Sequence, residues 1–515
     1  MSAASIAGLR LALVLSCGRT LRRTAMTRLL AAALAAFATV AVAHAAPKDS
    51  IVIGMTLEPP MLDPTAGAAA AIGEVTYRNI FEGLTALDSA MQVHPLLAKS
   101  WTVSPDGLVY DFKLQPGVTF SDGARFDCSV VKFTYDRAAG PDSVNAHKSK
   151  FEPIASVACP DPLTAVVTLK RPTGAFLVDM GTNDAVMVSP VSAANNKTNP
   201  IGTGPYKLAR WAKGDRVELV LNPSYWGPKP PISRVTFRFI ADPSAAAAAV
   251  MAGDVDAFPL FPAPETLDQF RADKRFHVQI GTTSGKTIMS LNDARKPFDD
   301  IRVRRALAYA IDRKALVDAL GSYGTPIGSH FVPGDAGYVD LTGAYPYNPA
   351  KAKELLKEAG IKPGFTMTIS LPPPSYARRG GEVIAAMLAE VGITAKLAPI
   401  EWAQWLDVVF KQSDFDATII SHVEPGDIGI YARDKYYFNY HSPEFNALYK
   451  KYAETNDPAE RLKLVGELQR KLSEDEPNVF LFALAKVGVW NSKLRGLWPN
   501  EPIFANVVSE MNWAP

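Results

Sequence analysis

Several things are scarce in this chain, and each scarcity removes a class of function. Its 515 residues include three cysteines and seven histidines, and the formal net charge is +2. So even a charge balance leaves no basic footprint for nucleic acid and no polybasic anchor for a membrane surface. There is no His-Glu-x-x-His pair for a zinc hydrolase, no Gly-x-Ser-x-Gly elbow and no phosphate-cradling glycine loop. Gly202-Thr-Gly204-Pro fails as a dinucleotide motif because it leads into an extended run. Ser129-Val-Val-Lys132 matches the Ser-x-x-Lys of penicillin-recognising enzymes, but the Lys-Thr-Gly companion is missing, since Lys286-Thr287 is followed by Ile288. The expectation is a protein without catalytic residues, cofactor or resident metal.

What is present is length and apolar content. A chain of 515 residues exceeds what one hydrophobic core organises, so at least two lobes are expected. Residues 1–45 hold five arginines and no acid; without them 49 basic residues face 52 acidic ones, a net of −3. Arg28, the apolar run Leu29–Val42 and Ala43-His44-Ala45 together read as a secretory leader with its cleavage site. The run is too short to span a bilayer. Met26 is an alternative start to Met1; Val14-Leu15-Ser16-Cys17 matches a lipoprotein site imperfectly, so a soluble protein beginning near Ala46 is preferred. Cys128 and Cys159 remain, an even pair that an oxidising compartment can join and that otherwise stays as two buried thiols.

Local patterns then place elements. Ile51–Gly54 reads as a buried strand, and the prolines of Glu58-Pro-Pro-Met-Leu-Asp-Pro64 turn the next stretch into a loop. Tyr77–Asp88 reads as a helical start stopped by Gly83. Tyr110, Phe112 and Leu114 alternate with Asp111 and Lys113, a strand with one wet face. Gly202 and Gly204 permit positive φ ahead of a hairpin over Tyr206–Leu221, turning at Lys213-Gly-Asp215. Pro231–Ile240 holds a further strand and Pro243–Val250 a helix. From about Lys286 helices and strands alternate, the α/β signal. Ile301–Leu320 behind Asp299-Asp300, the helix opened by Asn348-Pro349, the one carrying Ile384 and Leu388, and the one capped by Asp457-Pro-Ala-Glu460 have apolar faces at helical spacing, and Pro477–Val489 returns as a strand.

Four strings resemble one family: Asn79-Ile-Phe-Glu-Gly-Leu84, the Pro116-Gly-Val-Thr-Phe-Ser-Asp-Gly123 region, Pro200–Trp226, and Phe298–Arg313. They are similar to the extracytoplasmic solute-binding proteins of ABC transporters, family 5, whose members carry peptides, opines and nickel complexes. One departure is Asp127-Cys-Ser-Val130, where the family usually has a small residue, an acid and Asp-Val. The resemblance implies an α/β, two-lobed periplasmic-binding-protein fold (type II, cluster C) that closes like a flytrap. Lobe I would span 46–285 with a β-rich excursion at about 90–200, lobe II 286–488, and residues 489–515 would return to lobe I. Pro200–Trp226 would lie beside the connection between lobes. The implied function is a monomeric periplasmic receptor that captures a solute, a peptide or a peptide-like or cationic small molecule, between two lobes and hands it to an ABC permease in the inner membrane. The alternatives are an exported chaperone or sensor using the same cleft, and a nickel-complex carrier.

The resemblance also marks ligand-binding candidates. Leu57 and Glu58 end a strand that borders the family's cavity. Trp402 matches a tryptophan that touches cargo in the dipeptide-binding branch; its alternative role is core packing. That branch holds the cargo's ammonium with an aspartate in the loop matching Ser421–Asp427, where Pro425 takes the acid's place between Glu424 and Asp427; a turn cap is the alternative for Glu424. His422 matches a loop whose histidine holds metal in the nickel branch. Leu371 stands where the dipeptide branch has its carboxylate-binding arginine, which makes a standard free dipeptide a doubtful cargo.

Overall fold

The computed structural model describes residues 48–514 except Asn456, and leaves out the side chain of Pro458. The leader assigned to 1–45, its start at Met1 or Met26, and Cys17 lie outside the described residues. Among the described residues no helix is long and apolar enough to cross a membrane.

Two long strands, Phe276–Leu291 and Asn478–Asn491, run antiparallel, the start of each against the end of the other. Their far halves recruit different neighbours. Lys286–Leu291 pairs with Ala417–His422, beyond which lie the parallel strands Phe365–Leu371 and Ile393–Pro399. Val489 and Trp490 pair with Ala257–Phe258, beyond which come Ser50–Met55, Arg234–Phe239, Arg216–Leu221 and Tyr206–Ala212. The ladder's register shifts between Thr282 and Lys286. There the Thr283 hydroxyl donates to the Leu484 carbonyl and the Ser284 hydroxyl to that of Pro502.

Apolar cores form on both flanks. Ile51, Ile53, Val217, Val235 and Phe237 pack with Trp490, Trp498, Val508 and Met511, so the C-terminal residues close the core begun by the first strand. Leu307, Ile369, Ile384, Leu388 and Val479 form a core on the other flank. A separate four-stranded sheet, Ala98–Val103, Val109–Leu114, Thr164–Leu169 and Ile154–Asp161 in spatial order, buries Tyr110, Phe112 and Leu114 as their alternation requires. Cys128 and Cys159 are bonded, tying the start of helix Cys128–Ala139 to Ile154–Asp161.

Three local readings are corrected. The helix near Tyr77 precedes it, over Ala70–Thr76, because Tyr77 is extended and Arg78 has φ +55°. The helix expected over Ile301–Leu320 is two, Ile301–Ala310 and Arg313–Ala319; Ile311 is extended and the Asp312 carboxylate caps the restart at the Ala315 amide. Neither Gly202 nor Gly204 has positive φ. Instead the chain passes so close to Asn79-Ile80 that a Cβ on Gly202 would sit 1.9 Å from the Ile80 carbonyl oxygen, and one on Gly204 2.5 Å from that of Asn79. The Gly204 amide donates to the Ile80 carbonyl and the Tyr206 amide to that of Asn79, at 2.9 Å each. Glu82 seals the junction, accepting from Thr203 Oγ1, Tyr225 OH and Trp226 Nε1; burial pushes its carboxyl up to about 7 against these donors. The strings around Asn79 and Pro200 are therefore one lock. The hairpin they support forms the sheet's edge, with three strands between it and the long pair.

Gly202→Ala must move the Ile80 backbone and is expected to cost about 1–3 kcal/mol. Urea unfolding should show a lowered midpoint with an unchanged slope; a wild-type midpoint would mean that the close approach is not required.

Candidate ligand-binding site

Strand Ala417–His422 lies between two others and carries the chain into a loop that ends in the short helical turn Asp427–Ala432. Lys286, the first residue paired beyond the register shift, holds both ends of that loop. Its Nζ lies 2.6 Å from Asp427 Oδ1 and 2.6 Å from the Glu424 carbonyl oxygen, and its side chain is 2% exposed. An ammonium so buried requires a carboxylate partner. His330 Nε2 reaches the same Asp427 oxygen at 3.0 Å, and its Nδ1 meets Tyr431 OH at 3.1 Å. Burial opposes charge on Asp427, but Lys286 and His330 outweigh it and hold the carboxyl well below its ordinary range. His422 bonds Tyr437 OH at 3.0 Å; burial and the neighbouring His330 lower its pKa to about 4, so it is neutral.

His330, His422 and Asp427 present ligand atoms within 4.8 Å of one another, a spacing a metal ion could use. The donor set does not fit one as it stands. Lys286 already neutralises Asp427, and its ammonium would be forced against any cation bound there.

The Glu424 side chain faces the opposite way. Its Oε1 lies 3.5 Å from His147 Nε2, and His147 Nδ1 lies 3.1 Å from Asp184 Oδ2. Lys150 completes the series, 3.0 Å from Asp184 Oδ1 and 3.1 Å from Thr182 Oγ1. His147, Lys150 and Asp184 come from the segments around the four-stranded sheet, whose core includes Tyr135, Phe151 and Ala185; Glu424 comes from the other flank. Burial disfavours the charge on His147, but Asp184 and then Glu424 override it and raise its pKa to about 9. Burial likewise opposes the charge on Glu424, yet His147 brings its carboxyl down to about 2.

An aromatic wall adjoins this seam. Trp402 meets Trp405 edge-on at 5.8 Å, Trp405 stacks on Phe410 at 6.0 Å, Phe410 meets Tyr436 at 5.7 Å, and Tyr437 stacks on His422 at 6.0 Å. Trp405 is pinned through its indole N–H to Thr418 Oγ1 at 3.0 Å. Residues 405–411 wind as a π-helix, and Leu406 and Phe410 stay exposed on it.

The structure therefore brings Glu424, Asp427 and His422 together, with Trp402 at the far end of the same wall. Glu58 accepts from the Trp211 indole and the Gly214 amide at the hairpin tip, and Leu57 is exposed. Leu371 is buried in the core against Gly381. The residues missed from sequence are Lys286, His330, His147, Lys150, Asp184 and the tyrosine pair 436–437. Of these only Tyr436-Tyr437, an aromatic doublet just after the loop, left a local signal.

Known proteins share this architecture. Residues 92–467 match the model of the bacterial extracellular solute-binding proteins, family 5. The chain belongs to that family. Among curated relatives, the glutathione-binding protein GsiB of Salmonella paratyphi A is 31% identical over 494 residues, covering 91% of this chain and 94% of the relative. GsiB of Escherichia coli K12 is 31% identical over 461 residues, 85% of this chain and 89% of its own. Among solved structures, the periplasmic binding protein DppA of Helicobacter pylori, in complex with peptide STSA, has TM-score 0.81 at 25% identity over 91% of this chain and 99% of its own. NikZ of Campylobacter jejuni, in complex with Ni(L-His), has TM-score 0.78 at 26% identity over 91% and 100%. The fold is thus the two-lobed one of this family of binding proteins, which are not enzymes.

Asp427→Asn would strand the Lys286 ammonium and is expected to cost about 3–5 kcal/mol, much of it recovered when Lys286→Met is added. Urea unfolding of the three variants at pH 7 checks this; an additive double variant would contradict it. The lowered Glu424 pKa has a definite sign: its stabilisation is complete above about 4.5 and is lost as pH falls through about 2. Stability of Glu424→Gln should therefore fall less steeply over that window than wild type.

Proposed function

We propose that this chain is the periplasmic receptor of an ABC importer, that it acts as a monomer, and that its cargo is a short peptide-like solute, with glutathione the first candidate. The observation that carries the cargo class is the 31% identity to a glutathione-binding protein across 94% of that protein's length. The leader-like residues 1–45 support the compartment. Lobe I would comprise 46–285 with 489–515, and lobe II 286–488; the long strands pass between them. Cargo held between lobes favours the closed form because it contacts both walls at once, and the closed form is what a permease can recognise.

The site supports such a cargo in two ways. Trp402, with Leu406 and Phe410 nearby, offers apolar and aromatic surface to a peptide's amide planes and side chains. Glu424 keeps its side chain 29% exposed, and its ion-pair contact among the described residues is the 3.5 Å one to His147, so its carboxylate is the accessible anchor for an ammonium group. Asp427 is only 11% exposed and is taken up by Lys286 at 2.6 Å, which makes it a support for the loop.

Titration calorimetry with reduced glutathione and with the tetrapeptide Ser-Thr-Ser-Ala should give 1:1 binding of at least one. Trp402→Ala should weaken it by roughly 0.5–1.5 kcal/mol beyond lost area, and Glu424→Gln should weaken it as well, with the fold intact. If neither solute binds, the cargo reading fails, and the chaperone alternative is then tested with an unfolded polypeptide.

A further inference from the structure

From the geometry of the seam we infer that His147 is a positioning residue for cargo binding: reaching across from the four-stranded-sheet side, it grips Glu424 and holds that carboxylate where cargo meets it. This rests on the reading of Glu424 as the cargo anchor. The loop bearing Glu424 is fixed through its backbone, since Lys286 takes the Glu424 carbonyl and the Asp427 carboxylate. Nothing in that arrangement orients the Glu424 side chain. The group that does so is the His147 imidazole, 3.5 Å away, and the imidazole is itself backed by Asp184 at 3.1 Å. Asp184 is in turn held by Lys150 and by the Thr182 hydroxyl at 2.6 Å. The result is an arm of alternating charge that ends on Glu424, the more exposed of the loop's two acids.

The arm also couples the two walls. His147 contacts Glu424 only when the parts bearing them are together, so the contact adds to whatever cargo contributes toward that arrangement. It depends on charge. The groups facing His147 are Asp184, Asp179 and Lys150 on its own side and Glu424 on the other, with Asp427, His422 and Lys286 behind Glu424. Burial raises Asp179 to about 6, so at neutral pH carboxylates prevail over Lys150 around the imidazole and keep it cationic. The grip is therefore complete below about 6.5 and is lost as pH rises through about 9.

The test compares wild type, His147→Gln, His147→Lys, Glu424→Gln and the double variant His147→Gln/Glu424→Gln. Calorimetry with reduced glutathione at pH 7 should show His147→Gln weakened by roughly five- to tenfold. The ratio of wild-type to His147→Gln affinity should shrink toward one above pH 10, where the imidazole is neutral; because glutathione's amino group loses its charge in the same range, the coupling of His147 and Glu424 in urea midpoints without cargo must shrink over that window too. His147→Lys should restore part of the affinity and carry the loss to higher pH. A ratio that is large but independent of pH would overturn the proposal, since a merely structural histidine behaves that way. Urea unfolding without cargo decides the grip separately: non-additive midpoints for His147 and Glu424 support it, and additive ones overturn it. If no glutathione binds while the midpoints couple, the cargo assignment fails and the grip stands.

Discussion

Everything in this molecule hangs on one antiparallel ladder. Phe276–Leu291 and Asn478–Asn491 are bonded over nearly their whole length, yet each flank of the sheet is recruited by a different end of the pair. A ladder that long would be a stiff beam if its register were continuous. It is interrupted between Thr282 and Lys286, where the Thr283 hydroxyl satisfies the Leu484 carbonyl and the Ser284 hydroxyl ties to the Pro502 carbonyl of the C-terminal segment. Nearby, the buried pair Lys486–Glu501, 2.8 Å apart, ties the other strand of the pair to the C-terminal segment. Separate cores can thus flank one sheet, with backbone hydrogen bonds of the long pair running past the junction between them.

The position of Lys286 follows from this constraint. As the first residue paired after the interruption, it stands where one core ends, and its ammonium is buried without bulk water. A buried charge is tolerable only with close counter-charges, and the chain supplies them from a distant loop. That loop is therefore fixed to the crossing, and its remaining acid, Glu424, is turned toward the opposite wall. The series Lys150, Asp184, His147, Glu424 alternates in sign from one wall to the other. Such a series adds little net stability once desolvation is counted, but it does define which surfaces meet and in what register.

Much of the fold was legible because its signals are local. Asp300, Asp312, Asn348 and Asp457 each cap a helix through a side chain within three residues of the amide it serves, and the alternation at Tyr110–Leu114 reports burial directly. The helix break at Ile311 was hidden because Ile311 continues the apolar spacing of the helix before it. Gly202 and Gly204 were recognisable as required glycines, but the reason is another segment's backbone rather than their own φ, which no local reading can supply. The candidate site was legible only in part. Trp402, His422, Glu424 and Asp427 stood out by resemblance, whereas Lys286, His330 and His147 became relevant only through partners far along the chain.

By itself the sequence determined the periods, caps and turns, and with them the order of elements and the family to which they belong, since these depend on residues within a turn or two of one another. Only the tertiary structure decided which acids are enclosed and which stay partly exposed. Asp427 and Glu424 lie three positions apart in one loop, yet one is enclosed by Lys286 and the other faces His147. The physical reason is that the state of a carboxylate depends on what surrounds it within a few ångströms, and here those surroundings come from four separate segments.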